Sequence, residues 1–175
     1  GLTLTVSDFY LEMNQAKTTA TGLPFTPVLD FNAGGANASA TFAVSTGSTT
    51  TPSVTLDMDG DDGNLLQASG SLTLNAFGFV SLTGDFAFKK SSGGSFERND
   101  GVAITGGYLT VGADITTATV SAGGVGLTLN NIQLGMLLVS YDNGTAGVTT
   151  DDTGYTAIKA KVGSASIFGI DGLTL

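Results

Sequence analysis

Hydrophobic and polar residues alternate with a period of two along most of this chain. The stretch 71–77 sets Leu72, Leu74 and Ala76 on one face, and 79–88 does the same with Val80, Leu82, Phe86 and Phe88, as expected of strands with one apolar side. A lone Gly78 between them predicts a bulge or bend in one long ribbon. The same grammar continues over 102–105, 108–111, 116–121, 127–134, 136–141, 155–162 and 164–170. At the start, Leu2, Leu4 and Val6 keep one phase and Phe9, Leu11 and Met13 another, which predicts two strands in preference to a helix over 7–17. Turn signals punctuate these runs, among them Asp100-Gly101, Gly106-Gly107, Gly123-Gly124 and Asp152-Thr153-Gly154. Asn143-Gly144 is the sharpest, because Tyr141 and Val148 flank two residues that tolerate positive φ.

This pattern predicts an all-β chain with little or no helix. An elongated β-solenoid or stacked-sheet repeat unit is preferred, because small residues such as those of Ala157–Ile167 suit narrow rungs. A β-sandwich is the alternative, since Phe25, Phe31, Phe42, Phe77, Phe79, Phe86, Phe88, Phe96 and Phe168 supply core volume. The 175 residues fit a single β-rich unit.

Repetition enters next. Gly1-Leu2-Thr3-Leu4 opens the chain and Gly172-Leu173-Thr174-Leu175 closes it, a spacing of 172 − 1 = 171 residues, and the string recurs at Gly126-Leu127-Thr128-Leu129. The unit therefore reads as one period of a longer tandem or polymeric array, with Leu2, Leu4, Leu173 and Leu175 as assembly residues. A start at Gly1, without a basic and apolar leader, reads as a mature or excised piece.

Composition narrows the chemistry. Lacking His, Cys and Trp, the chain has no histidine base, thiol nucleophile, disulfide or His/Cys metal site. No enzymatic activity is expected; Asp85 and Glu97 are the one carboxylate pair that a glycosidase reading would use. Six basic residues against fifteen acidic ones give a net charge of −9, which repels phosphates and anionic headgroups, so neither nucleic acid nor membrane insertion is expected. Asp57, Asp59, Asp61, Asp62 and Asn64 crowd oxygen donors into one turn and make a calcium candidate, with Ca2+ the only cofactor in view. The cluster departs from an EF-hand loop, because Asp62 stands where that loop needs glycine.

The segments GLTLTVSDFYLEMN, LTLNAFGFVSLTGDFAF, ITGGYLTVG and AIKAKVGSASIFGIDGLTL resemble the tandem modules of very large repetitive bacterial extracellular proteins of the LEPR-XLL and giant-adhesin kind. The resemblance implies an extracellular or cell-surface structural protein and brings no catalytic residues. Two functions are expected from it. In the first, copies build a surface fibre, sheath or stalk by strand continuity from end to end. In the second, an adhesive module binds a glycan or another surface through loops near 32–48 or 145–154.

Overall fold

The computed structural model describes residues 1–17, 27–31, 41–145 and 148–170. The chain is all-β. Among the described residues ten strands follow one another: β1 (Leu2–Asn14), β2 (Phe42–Ser45), β3 (Ser53–Leu56), β4 (Leu65–Ala76), β5 (Val80–Ser91), β6 (Ser95–Glu97), β7 (Ala103–Thr105), β8 (Gly107–Ala122), β9 (Val125–Tyr141) and β10 (Thr153–Phe168). Six of them form one antiparallel sheet in the order β1-β4-β5-β8-β9-β10, while β2–β3 and β6–β7 are separate small hairpins in the connections. Neighbours in this sheet are neighbours in sequence order, so it is a meander without the parallel coils of a solenoid. Among the described residues it does not close: β1 and β10 each pair on one side only.

The two ends of the sheet differ. At one end, tight turns at Phe77-Gly78 and Gly123-Gly124 join β4 to β5 and β8 to β9. At the other, long segments leave β1, β5 and β9. Gly78 is therefore a hairpin turn and not a bend in one ribbon. Phe77 (φ 54°) and Gly78 (φ 75°) are both left-handed, and the Phe79 amide donates to the Ala76 carbonyl at 2.9 Å, which is a type I′ turn. Asn143 and Gly144 are left-handed as well, but their turn opens a longer loop, and Tyr141 pairs with Thr153 across it.

The early phase change turns out to lie within one strand. In β1 the register with β4 slips between Ser7 and Tyr10, so Asp8 and Phe9 together face Gly70 and Asp8 takes φ 50°. This β-bulge lets Leu2, Leu4 and Val6 share a face with Phe9, Leu11 and Met13. An equivalent break crosses β8, β9 and β10 at Thr116, Asn131 (φ 52°) and Gly163, which sit opposite one another and form no regular pair. At β5 the extra β8 residue is met by Gly84, where a Cβ would lie 2.5 Å from the Asp114 carbonyl oxygen and the Ile115 Cα. A crease of bulges and glycines thus crosses the whole sheet.

Little of the chain is enclosed. The buried side chains among the described residues are Leu65 (1% exposed), Ile104, Val139, Met58, Asn14 and Ser91, together with Ala68 between Leu11 and Phe88 on the other face of the sheet. Leu65 and Val139 project from the same face of the sheet, set by the register of their strands, so the long connections fold onto that face.

Candidate assembly interface

Cross-strand partners share a face, and the register therefore sorts every sheet residue. One face carries Leu2, Leu4, Val6, Phe9, Leu11 and Met13 from β1, then Leu66, Ala68, Gly70, Leu72, Leu74 and Ala76 from β4. It continues through Val80, Leu82, Gly84, Phe86 and Phe88 of β5 to Leu109, Val111, Ala113, Ile115, Ala118 and Val120 of β8. Leu127, Leu129, Ile132, Leu134, Met136 and Leu138 of β9 extend it to Ile158, Ala160, Val162, Ala165 and Ile167 of β10. The opposite face is built from Thr3, Thr5, Ser7, Ser71, Thr73, Asp85, Asp114, Thr117, Thr128, Asn130, Gln133, Lys159, Lys161 and their neighbours. One side is oil and the other is water-loving, over six strands.

The edges face outward in complementary fashion. β1 contributes 13 residues and β10 contributes 16. Counting along the meander, β1 and β10 run in opposite directions, so a β1 laid beside a β10 of another copy would be antiparallel, as every pair in the sheet is. β10 carries Lys159 and Lys161 on its polar face, and β1 carries Glu12. Setting the Asp8 break opposite Gly163, as Asn131 stands opposite Gly163 within the chain, brings Leu4 to Ile167, Val6 to Ala165 and Leu11 to Ala160. On the polar side it brings Ser7 to Ser164 and Glu12 to Lys159. Apolar meets apolar and opposite charges meet.

Of the assembly residues expected from sequence, Leu2 and Leu4 lie in β1, paired with Ala76 and Leu74 on its inner side and 65% and 60% exposed. Leu173 and Leu175 lie outside the described residues. The edge residues of β10 were not anticipated; their signal is the pair Lys159 and Lys161 in an otherwise cation-poor chain.

Three side chains of the acidic cluster are engaged in hydrogen bonds. Asp59 caps the short 3-10 turn Gly60–Asp62, its carboxylate accepting from the Asp61 amide at 2.9 Å. Asp62 turns inward and accepts from Lys89 Nζ at 2.6 Å and from the Tyr108 hydroxyl at 3.3 Å. Asn64 Oδ1 accepts from the Ala16 amide at 3.0 Å, and Asp57 and Asp61 are exposed. The side chains of Asp59, Asp62 and Asn64 turn to separate partners, and among the described residues no group of three or more acidic side chains is gathered to hold a metal ion. Asp62 and Asn64 tie the 57–64 segment to the sheet and to the end of β1. Burial opposes the charge of Lys89, yet the hydrogen bond and attraction from Asp62 outweigh it and hold the ammonium above its ordinary range. Tyr108 also meets Phe96 edge-on at a centroid distance of 5.8 Å, which ties β6 to β8.

At the loop end of β1, the Tyr10 hydroxyl donates to Glu12 Oε1, and Gln67 Nε2 donates to Glu12 Oε2. The Glu12 hydrogen bond, with smaller contributions from burial and the charges of Glu12 and Asp57, pushes the Tyr10 phenol up to about 12. Asp85, half of the carboxylate pair considered above, lies mid-strand on the polar face and accepts from the Ser71 hydroxyl, whereas Glu97 lies in β6. The loops expected to carry an adhesive surface, 32–48 and 145–154, fall partly outside the described residues. Comparison with known protein families, with curated proteins and with solved structures found no match to this chain.

Proposed function

We propose that the chain is a structural module of a bacterial extracellular or cell-surface assembly, whose copies share one continuous antiparallel sheet by laying β1 of one unit along β10 of the next. The observation that carries this reading is that, among the described residues, β1 and β10 are the two edges of the six-stranded sheet, each paired on one side only. Unpaired edges present rows of backbone donors and acceptors that invite pairing, and soluble folds usually blunt them with prolines, inward charges or short strands. Here both are long and free of proline. The recurrence of Gly1–Leu4 at Gly172–Leu175 supports the same reading, since a strand of β1 character is what the far edge of β10 calls for.

The chain has no cysteine, so an introduced pair reports contact cleanly. A variant carrying both Ser7→Cys and Ser164→Cys should form a ladder of disulfide-linked multimers under mild oxidation. A contact within one copy is ruled out, because the two edges stand five strand spacings apart, about 24 Å at the usual spacing. Either single variant should stop at dimers. If the double variant also stops at dimers, or if pairing Ser164→Cys with Leu2→Cys crosslinks equally well, the shared sheet in this register is wrong.

A further inference from the structure

The edges leave the apolar face unexplained. We propose that this face lies against the hydrocarbon of a lipid bilayer, with the polar face turned to water, so that the assembled units form a membrane-spanning wall. The inference rests on the edge-to-edge reading, because unpaired strand edges are not tolerated within hydrocarbon, and six strands are too few to close by themselves.

Four observations carry it. First, among the described paired residues of this face a single side chain is charged, Lys90, and it stands in the last row at the loop end, opposite Leu66 and Leu109. Lysine at that height can extend its ammonium to the headgroups. Second, the height fits. From Val80 to Phe88 on β5 and from Leu127 to Leu138 on β9 the apolar run is roughly 26 and 36 Å at the strand rise, which brackets the ~30 Å hydrocarbon core.

Third, the described connecting segments leave this face bare. Their contacts with the sheet, from Asp62 to Lys89, Ser91 and Tyr108 and from Phe96 to Tyr108, form at the loop end of the polar side, and large apolar residues stay open on the other, including Leu4, Leu11, Val120 and Ile158. Fourth, the ends are unequal in the way of membrane barrels, with tight turns at one and long loops at the other. The turn end also presents aromatic rings. Phe77 is 67% exposed in a left-handed backbone position that disfavours bulky residues, and Phe79 lies beside it. An aromatic side chain kept there suits the bilayer interface. The expectation of no membrane contact drew on net charge, which does not bear on the apolar face of a wall built from strands.

Single-cysteine variants along β9, labelled with an environment-sensitive fluorophore and mixed with phosphatidylcholine vesicles, test the proposal. Labels at Leu127, Leu134 and Leu138 should shift to the blue and be quenched by brominated acyl chains, whereas labels at Thr128 and Gln133 should not. In a vesicle flotation assay Leu134→Arg should lower the floating fraction about tenfold or more, with Gln133→Arg near wild type. Strand content by circular dichroism confirms that each variant is folded. Absence of alternating quenching overturns the proposal. So does shielding of Leu127, Leu134 and Leu138 without vesicles in a particle of twice the chain mass, which would mean two apolar faces packed on each other. The Ser7→Cys and Ser164→Cys double variant is crosslinked in parallel with the same vesicles: a ladder there without quenching in the β9 series sinks only the lipid contact, and no ladder sinks the shared sheet.

Discussion

Asp85 and Asp114 stand directly opposite each other across β5 and β8 on the polar face, two exposed carboxylates in one cross-strand pair. Like charges in that relationship oppose pairing. Replacing one by its amide should therefore help: Asp114→Asn is expected to raise stability by about 0.2–1 kcal/mol, more at low salt than at high. Urea melts at two ionic strengths would measure it, and a loss of stability at low salt would show that the pair serves some other purpose.

The crease through Gly84 tolerates no side chain. A Cβ there would sit 2.5 Å from the Asp114 carbonyl oxygen and the Ile115 Cα, backbone atoms that cannot swing aside. Gly84→Ala should cost about 1–3 kcal/mol, the range for forced overpacking. Gly135→Ala is the control, since nothing lies within 4 Å of its added carbon. Equal melting temperatures for the two variants would contradict the close approach of β5 and β8.

Tyr10 should titrate late. Its phenol, ordinarily near 10.0, is raised to about 12, chiefly by the hydrogen bond to Glu12. A pKa raised on folding supports the native state fully below the unfolded value, so this contribution is intact below pH 10.0 and fades as the pH climbs from there to about 12. Phenolate absorbance should show a late step that is gone in Tyr10→Phe and earlier in Glu12→Gln. A titration curve whose late step survives Tyr10→Phe would refute it.

The link between Lys89 and Asp62, 2.6 Å long with both side chains partly covered, fastens the 57–64 segment to the sheet. Asp62→Asn should cost about 1 kcal/mol, near the upper end for ion pairs that are still partly wet. Because the Lys89 pKa is raised, this support is complete below the ordinary lysine range and disappears only as pH rises through the raised value. A double-mutant cycle with Lys89→Met reads the coupling, and a coupling of zero would mean the contact holds nothing.

Strand identity was plain where alternation ran unbroken, as in Leu72, Leu74, Ala76 and in Val80, Leu82. It was misjudged where phase changed without a break in the chain. Ser7-Asp8 looked like a boundary between two strands, since a bulge inverts the alternation while leaving the backbone extended. Gly163 divided β10 on paper for the same reason. The turn at Phe77-Gly78 was missed because phenylalanine is a poor left-handed residue and sends no turn signal. Which strands are edges, and that one whole face is apolar, follow from pairing between segments far apart in sequence. The Asp57–Asn64 cluster showed its density but not its partners, Lys89 and Ala16, which folding brings in from 27 and 48 residues away.

The crease crosses the sheet on a slant. A row of paired residues that leaves the Asp8–Phe9 bulge runs through Gly70, Phe86, Ala113 and Leu134 to Ala160, and in the proposed register it arrives at Leu11 of the next copy. Each unit therefore climbs two residues past the last, roughly 7 Å of rise against six strand spacings, which leans the strands only ~13° from the axis of whatever they enclose. So shallow an inclination gives up almost none of the oily height that each strand brings to the wall.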